Sequence, residues 1–236
     1  MSVSTFLAVS AVAQVCLNDD TSPAVTIDKP TGTVEGDLLI AIIAVDSNAT
    51  ADSGWTQPSG WTLIRKDGLD ANSYTMMSAY KVAGGAEPAS YTFELTGLAV
   101  GADTGFTGVI LRYDNFVSAG PIDAHAGTIG SNGTGPSVTT TKQATTVLSA
   151  MQENTQPGDG SATPSGWTSR VNAPGVSLCS PANAVCPRLQ IAEKDFSPAG
   201  ATGTIDWDNL TAAQLNQTLA IKPDRQNFGG VTVAVI

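Results

Sequence analysis

Pro58-Ser59-Gly60-Trp61-Thr62 returns, letter for letter, as Pro164-Ser165-Gly166-Trp167-Thr168. Pro-Ser-Gly is turn chemistry: glycine takes a left-handed conformation at little cost, and the Trp-Thr that follows opens a strand-like run. An apolar strand-like run and a polar loop come before each copy. Weaker echoes extend the match. Ala79-Tyr80-Lys81 precedes Pro88-Ala89-Ser90-Tyr91-Thr92-Phe93 much as Ala192-Glu193-Lys194 precedes Pro198 to Ile205. Val109-Ile110-Leu111-Arg112 and Leu219-Ala220-Ile221-Lys222 then close the two sets. The repeat predicts two halves, about residues 24–120 and 121–224, written in the same order.

Outward from the repeat, short β-prone runs alternate with Gly, Pro, Asn and Asp clusters. The first half offers Ala24 to Ile27, Leu38 to Val45, Trp61 to Ile64, Tyr74 to Val82, Tyr91 to Leu95 and Phe106 to Tyr113. The second offers Ser137 to Thr140, Thr145 to Met151, Trp167 to Val171, Arg188 to Glu193, Gly203 to Trp207 and Leu215 to Ile221. Tyr74, Met76, Tyr80 and Val82 alternate onto one face, as in a half-buried strand. Leu38 to Val45 is apolar on both faces, the pattern of a strand covered on both sides. Only Thr211 to Gln217 reads as a helical turn, with Thr211 as its cap. The fold class expected is all-β: a jelly-roll-like two-sheet β-sandwich with two pseudo-repeated halves facing one another over one core. Residues 1–224 form a single domain in this reading, and 225–236 a C-terminal arm.

Eleven basic against twenty-one acidic residues give a net charge of −10, which repels phosphate backbones and anionic lipid. Neither nucleic acid nor membrane is an expected partner. The opening Ser4 to Ala13 resembles a signal peptide but lacks its basic leader, so the expectation is a cytosolic product without an export signal. Of the three cysteines, Cys179 and Cys186 bracket a short loop that a bridge could close, leaving Cys16 over. Cytosolic synthesis disfavours that bridge, so both states stay open.

The search for chemistry ends without an enzyme. His125 is the only histidine, and no nucleophile elbow accompanies it; Asp123-Ala124-His125-Ala126 reads as a surface loop. Asp206 and Asp208 flank Trp207 as a glycosidase pair could, but strand alternation turns Ile205 and Trp207 inward and both Asp residues to water. Asp67 to Asn72 and Asn18-Asp19-Asp20 offer oxygen ligands without the EF-hand pattern. No catalytic residue, cofactor or metal is expected. Trp61 and Trp167 hold equivalent places and read as core. Trp55 has no counterpart, sits in an expected loop, and is the candidate exposed aromatic for stacking or docking.

Gly36-Asp37-Leu38-Leu39-Ile40-Ala41, Pro58 to Thr62, Tyr80-Lys81-Val82-Ala83, Glu87 to Phe93 and Pro121-Ile122-Asp123 together resemble β-sandwich virion proteins of tailed bacteriophages and prophages. The likeness spans about residues 24–224 and implies a structural role, head decoration or tail attachment. The leading expectation is a capsid decoration or cement protein that binds and stabilises the shell. Its partners would be the major capsid protein and further copies of itself, in a homotrimer suited to three-fold sites. The rival is a tail or fibre module that binds host-surface glycans through Trp55. Phe228-Gly229-Gly230-Val231-Thr232-Val233-Ala234-Val235-Ile236 is an uncharged strand on a glycine hinge, with Val231, Val233 and Val235 on one face. Trp55, Phe228, Val231, Val233 and Val235 are the expected partner-binding residues, the arm adding to a neighbour's sheet edge.

Overall fold

The computed structural model describes residues 3–17, 22–47, 54–69, 74–96, 104–130, 133–153, 162–176, 186–207 and 214–224. Among the described residues the first half contributes nine strands. They are β1 (Thr5–Val9), β2 (Ala13–Leu17), β3 (Ala24–Asp28), β4 (Leu38–Ser47), β5 (Gly54–Thr56), β6 (Thr62–Leu69), β7 (Tyr74–Val82), β8 (Ser90–Thr96) and β9 (Thr104–Asp114). The second half contributes β10 (Ile122–Ile129), β11 (Thr134–Gly135), β12 (Thr145–Glu153), β13 (Thr168–Ala173), β14 (Arg188–Phe196), β15 (Ile205–Asp206) and β16 (Gln214–Ile221). Among the described residues there is no helix.

The larger sheets of the two halves share one topology. One runs β1-β9-β4-β7-β6, with β2 also on β9; the other runs β10-β16-β12-β14-β13. Their irregularities coincide as well. β6 bulges between Leu63 and Arg65 against β7, and β13 between Ser169 and Val171 against β14. β1 bulges between Phe6 and Ala8, and β10 between Ile122 and Ala124. A bulge adds one unpaired residue and bends its strand, so two matching pairs mean that the halves repeat their defects along with their pattern. Pairing registers then align the halves residue by residue: Ile40 with Leu148, Tyr80 with Glu193, Leu111 with Leu219, Val109 with Gln217, and Tyr113 with Ile221.

The Pro-Ser-Gly-Trp turn is also built twice. The Trp61 amide donates to the Pro58 carbonyl at 3.1 Å and the Trp167 amide to Pro164 at 3.0 Å. Gly60 has φ +83° and Gly166 φ +75°, the left-handed third position of a type II turn, where any side chain is strained. Lys81 lies over Tyr91 beside one turn, and Lys194 over Phe196 beside the other.

The sheets stack in layers. β3-β8-β5 covers the outer face of the first large sheet, burying Val25, Ile27, Phe93 and Leu95 against Leu39, Ala41, Ile43 and Val45 of β4. The other face of β4, Leu38, Ile40, Ile42 and Ala44, packs with Leu148, Ile191, Leu219 and Ile221 of the second half. All eight β4 residues from Leu38 to Val45 have no accessible surface, which is why the run is apolar on both faces. The expected alternation of β7 holds too, with Tyr74, Met76, Tyr80 and Val82 turned to the second half and Met77 and Ala79 to the cover sheet. The β11-β15 ribbon caps the far side over Trp207, Ile205, Met151 and Ala192. The shared core between halves is therefore one of several, because each large sheet also carries its own cover.

Several sequence expectations need correction. Thr5–Val9 and Ala13–Leu17 form one interrupted edge strand along β9. Trp55 lies in β5, and His125 in β10, where loops were expected. The expected strand Ser137 to Thr140 is reduced to a single bridge, Thr139 to Ala201. Gln214 to Gln217 belongs to β16, whose place between β10 and β12 overrides local helical preference; residues 211–213 lie outside the described residues. Cys16 is disulfide-bonded and Cys186 is a free, buried thiol, so of the two states left open for Cys179 and Cys186 the bridged one does not occur, and Cys16 is not the cysteine left over. Cys179 itself lies outside the described residues.

Candidate functional site

Trp55 is carried on β5 at the rim of the cover sheet, paired with Leu95 of β8. It is half-buried. Its ring stands edge-on to Phe106 at 6.3 Å, and its indole N–H finds no acceptor among the described residues. Much of the stacking face expected of it is spent on the core. Phe228, Val231, Val233 and Val235 lie outside the described residues.

Among the described residues, one side of the first half is open. Among the described strands β2 pairs only with β9 and β3 only with β8, so two edges face one another across a groove of about 430 Å³. Its walls are Ala11, Val12, Ala13, Gln14 and Val15 on one side and Ala24, Val25, Thr26 and Asp28 on the other. Val12, at the break between β1 and β2, is 44% exposed. Two strand edges flanking a groove of small apolar and polar side chains suit an added extended segment.

The ionisable groups are tied into packing. Asp123 is the bulged residue of β10, and its carboxylate accepts from the Thr141 amide at 2.6 Å and hydroxyl at 2.5 Å. His125 contacts Arg65 Nη1 through Nδ1 at 3.1 Å, so Asp123 and His125 serve different partners. Partial burial and the Arg65 charge push the histidine below its usual pKa, against the opposing pull of Asp67. Asp67, the one described residue with a side-chain oxygen in the expected calcium stretch at 67–72, is held by Arg65 at 2.5 Å and by the Gln217 amide at 2.8 Å. Asp70, Asn72, Asn18, Asp19, Asp20 and Asp208 lie outside the described residues. Ile205 and Trp207 point inward and Asp206 outward, as alternation requires.

Two carboxylates are buried with purpose. Glu87 accepts from the Gly84 amide, the Tyr91 hydroxyl and Lys81, which together outweigh its burial and keep its carboxyl below the usual range. Glu193 accepts from the fully buried Tyr113 hydroxyl at 2.7 Å and from Arg170 at 2.6 Å, and burial beside that carboxylate drives the phenol pKa well up. Sequence reasoning missed this second group because its members come from β9, β13 and β14, strands far apart in the chain.

Among the described residues no group of three or more His, Cys, Asp or Glu side chains could hold a metal ion. Compared with known proteins, the chain matches no family model, no curated protein and no solved structure.

Proposed function

We propose that this chain is a structural component of a phage virion, a capsid decoration or cement protein that adds to a shell and stiffens it. The resemblance of its turn-and-strand motifs to virion β-sandwiches is the starting point. The observation that carries the reading further is the side of the first half where, among the described residues, β2 and β3 present backbone edges across a groove of mixed polar and apolar lining. A strand added there gains main-chain hydrogen bonds and pockets for alternate side chains. The arm Phe228 to Ile236 of a neighbouring copy, uncharged and alternating, is the strand we assign to that edge. Many such contacts repeated over a shell would each gain from the effective concentration of the others. A disulfide at Cys16 fits a particle that works outside the reducing cytoplasm. The glycan-binding tail module remains the rival, but it rested on an exposed Trp55, and that ring is packed against Phe106.

The experiment is cosedimentation of the purified protein with undecorated shells, comparing the full chain with a truncation after Asp224. The proposal expects the full chain to pellet with shells and the folded truncation to stay in the supernatant. A truncation that decorates shells as before would remove the arm from the account. A full chain that never pellets, yet binds a glycan array, would favour the rival.

A further inference from the structure

We propose that the buried face between the halves is a recognition surface that pairs two unlike modules and rejects two like ones. Every sheet hydrogen-bond ladder among the described strands lies within one half, so apart from the short backbone pairing of Asn115, Phe116 and Val117 with Lys222, Pro223 and Asp224 beside the linker, the halves meet through side chains. Their contacts are reciprocal: β6 of the first half lies against β10 of the second, and Arg170 of β13 reaches back over Phe6 of β1 at 4.2 Å. Reciprocity of this kind is the pattern of a two-fold dimer interface, here built into one chain.

Beside the Gln152 amide on the Val45 carbonyl and the Thr146 hydroxyl on the Ser4 carbonyl, two side-chain locks sit on this face, and each needs groups from both halves. In the first, the Tyr113 hydroxyl and the Phe6 ring of the first half meet Glu193 and Arg170 of the second. In the second, Asp67 and Arg65 of the first half meet the Gln217 amide and His125 of the second. Gln217 also donates to the Met76 carbonyl at 3.0 Å.

The registers say what a like pair would meet instead. Two first halves would set Tyr113 against Tyr80 and Ile64, and the Asp67–Arg65 pair against Val109 and Val9. Two second halves would set Glu193 and Arg170 against Ile221 and Ile122, and Gln217 and His125 against Ala173 and Val171. Either way buried polar groups lose partners that the unlike pair supplies, and a lost partner discriminates more strongly than a lost apolar contact. The fit also depends on Gly127 of β10, where a Cβ would run into Asp67 and Arg65.

The test uses the full chain with a protease site placed in the exposed linker between Ser118 and Gly120, cut after folding and kept in reductant so that the Cys16 disulfide is open. Native mass spectrometry of the cut protein is expected to show one particle holding one fragment of each kind. Mixing tagged and untagged cut protein should exchange fragments while leaving unlike pairs at least tenfold in excess. Replacing the second half's lock by the first half's residues, Arg170→Ile with Glu193→Tyr, should raise the fraction of like pairs at least tenfold. Fragments that part on cutting, like pairs at comparable abundance, or a double variant that leaves the distribution unchanged would each overturn the proposal.

Discussion

Trp61→Ala and Trp167→Ala make the sharpest comparison in the molecule, because sequence makes the two sites identical and the structure makes them unequal. Trp61 is 8% exposed and stands edge-on to Tyr91 at 5.1 Å and Phe93 at 5.2 Å. Truncating so well packed an aromatic costs about 3–5 kcal/mol. Trp167 is only half-buried, with one ring contact, to Phe196 at 5.8 Å. Scaled to the smaller area it hides, its loss should cost about 2 kcal/mol. In a chain of this size that corresponds to a melting-temperature drop of roughly 6–20 °C for the first variant and roughly 4–8 °C for the second. Urea unfolding followed by circular dichroism, with the denaturant dependence checked for constancy, measures both. Equal losses, or a larger loss at Trp167, would refute the reading that only the first turn anchors a full sandwich core.

Gly60→Ala and Gly166→Ala should behave in the opposite way, each costing about 1–2 kcal/mol, since both glycines hold the same left-handed position; unequal losses in the same assay would separate the turns. His125 is the only histidine, and its folded pKa lies below the unfolded value near 6.5. The unfolded chain therefore takes up a proton first, and stability should fall as pH drops below about 6.5, with the slope flattened in His125→Gln; a variant that keeps the slope would show that another group carries it. The Cys186 thiol, pushed up to about 11 by burial, should resist maleimide in the native protein and react on unfolding, as labelling and mass mapping would show. Truncation after Asp224 should leave the melting temperature within about 2 °C of the full chain, because the described strands of both large sheets are complete by Ile221; a chain that fails to fold would place the arm in its own sandwich.

What could be read in advance follows from where each signal is written. β4 and β7 were legible because their burial is expressed in consecutive letters: apolar on both faces in one, alternating in the other. The duplication was legible from a single five-residue turn, whose glycine has no substitute. β1 and β2 were missed because they are half-exposed edge strands, and Thr-Phe-Leu-Ala-Val and Ala-Gln-Val-Cys-Leu on an edge carry no strong period. β10 was hidden for the same reason, its Gly127 looking like loop chemistry when the close approach of Asp67 and Arg65 demands it. Trp55 was placed in a loop because β5 is three residues long. The Tyr113–Glu193–Arg170 group and the Asp67–Gln217 bond join residues 80 and 150 positions apart, which no local pattern can announce.

The functional reading stands or falls on copy number. Quantitative gel analysis of purified particles, with this chain measured against the major capsid protein, is predicted to find it in hundreds of copies per particle and to find those copies on tailless heads. A handful of copies per particle, confined to the tail fraction, would contradict it.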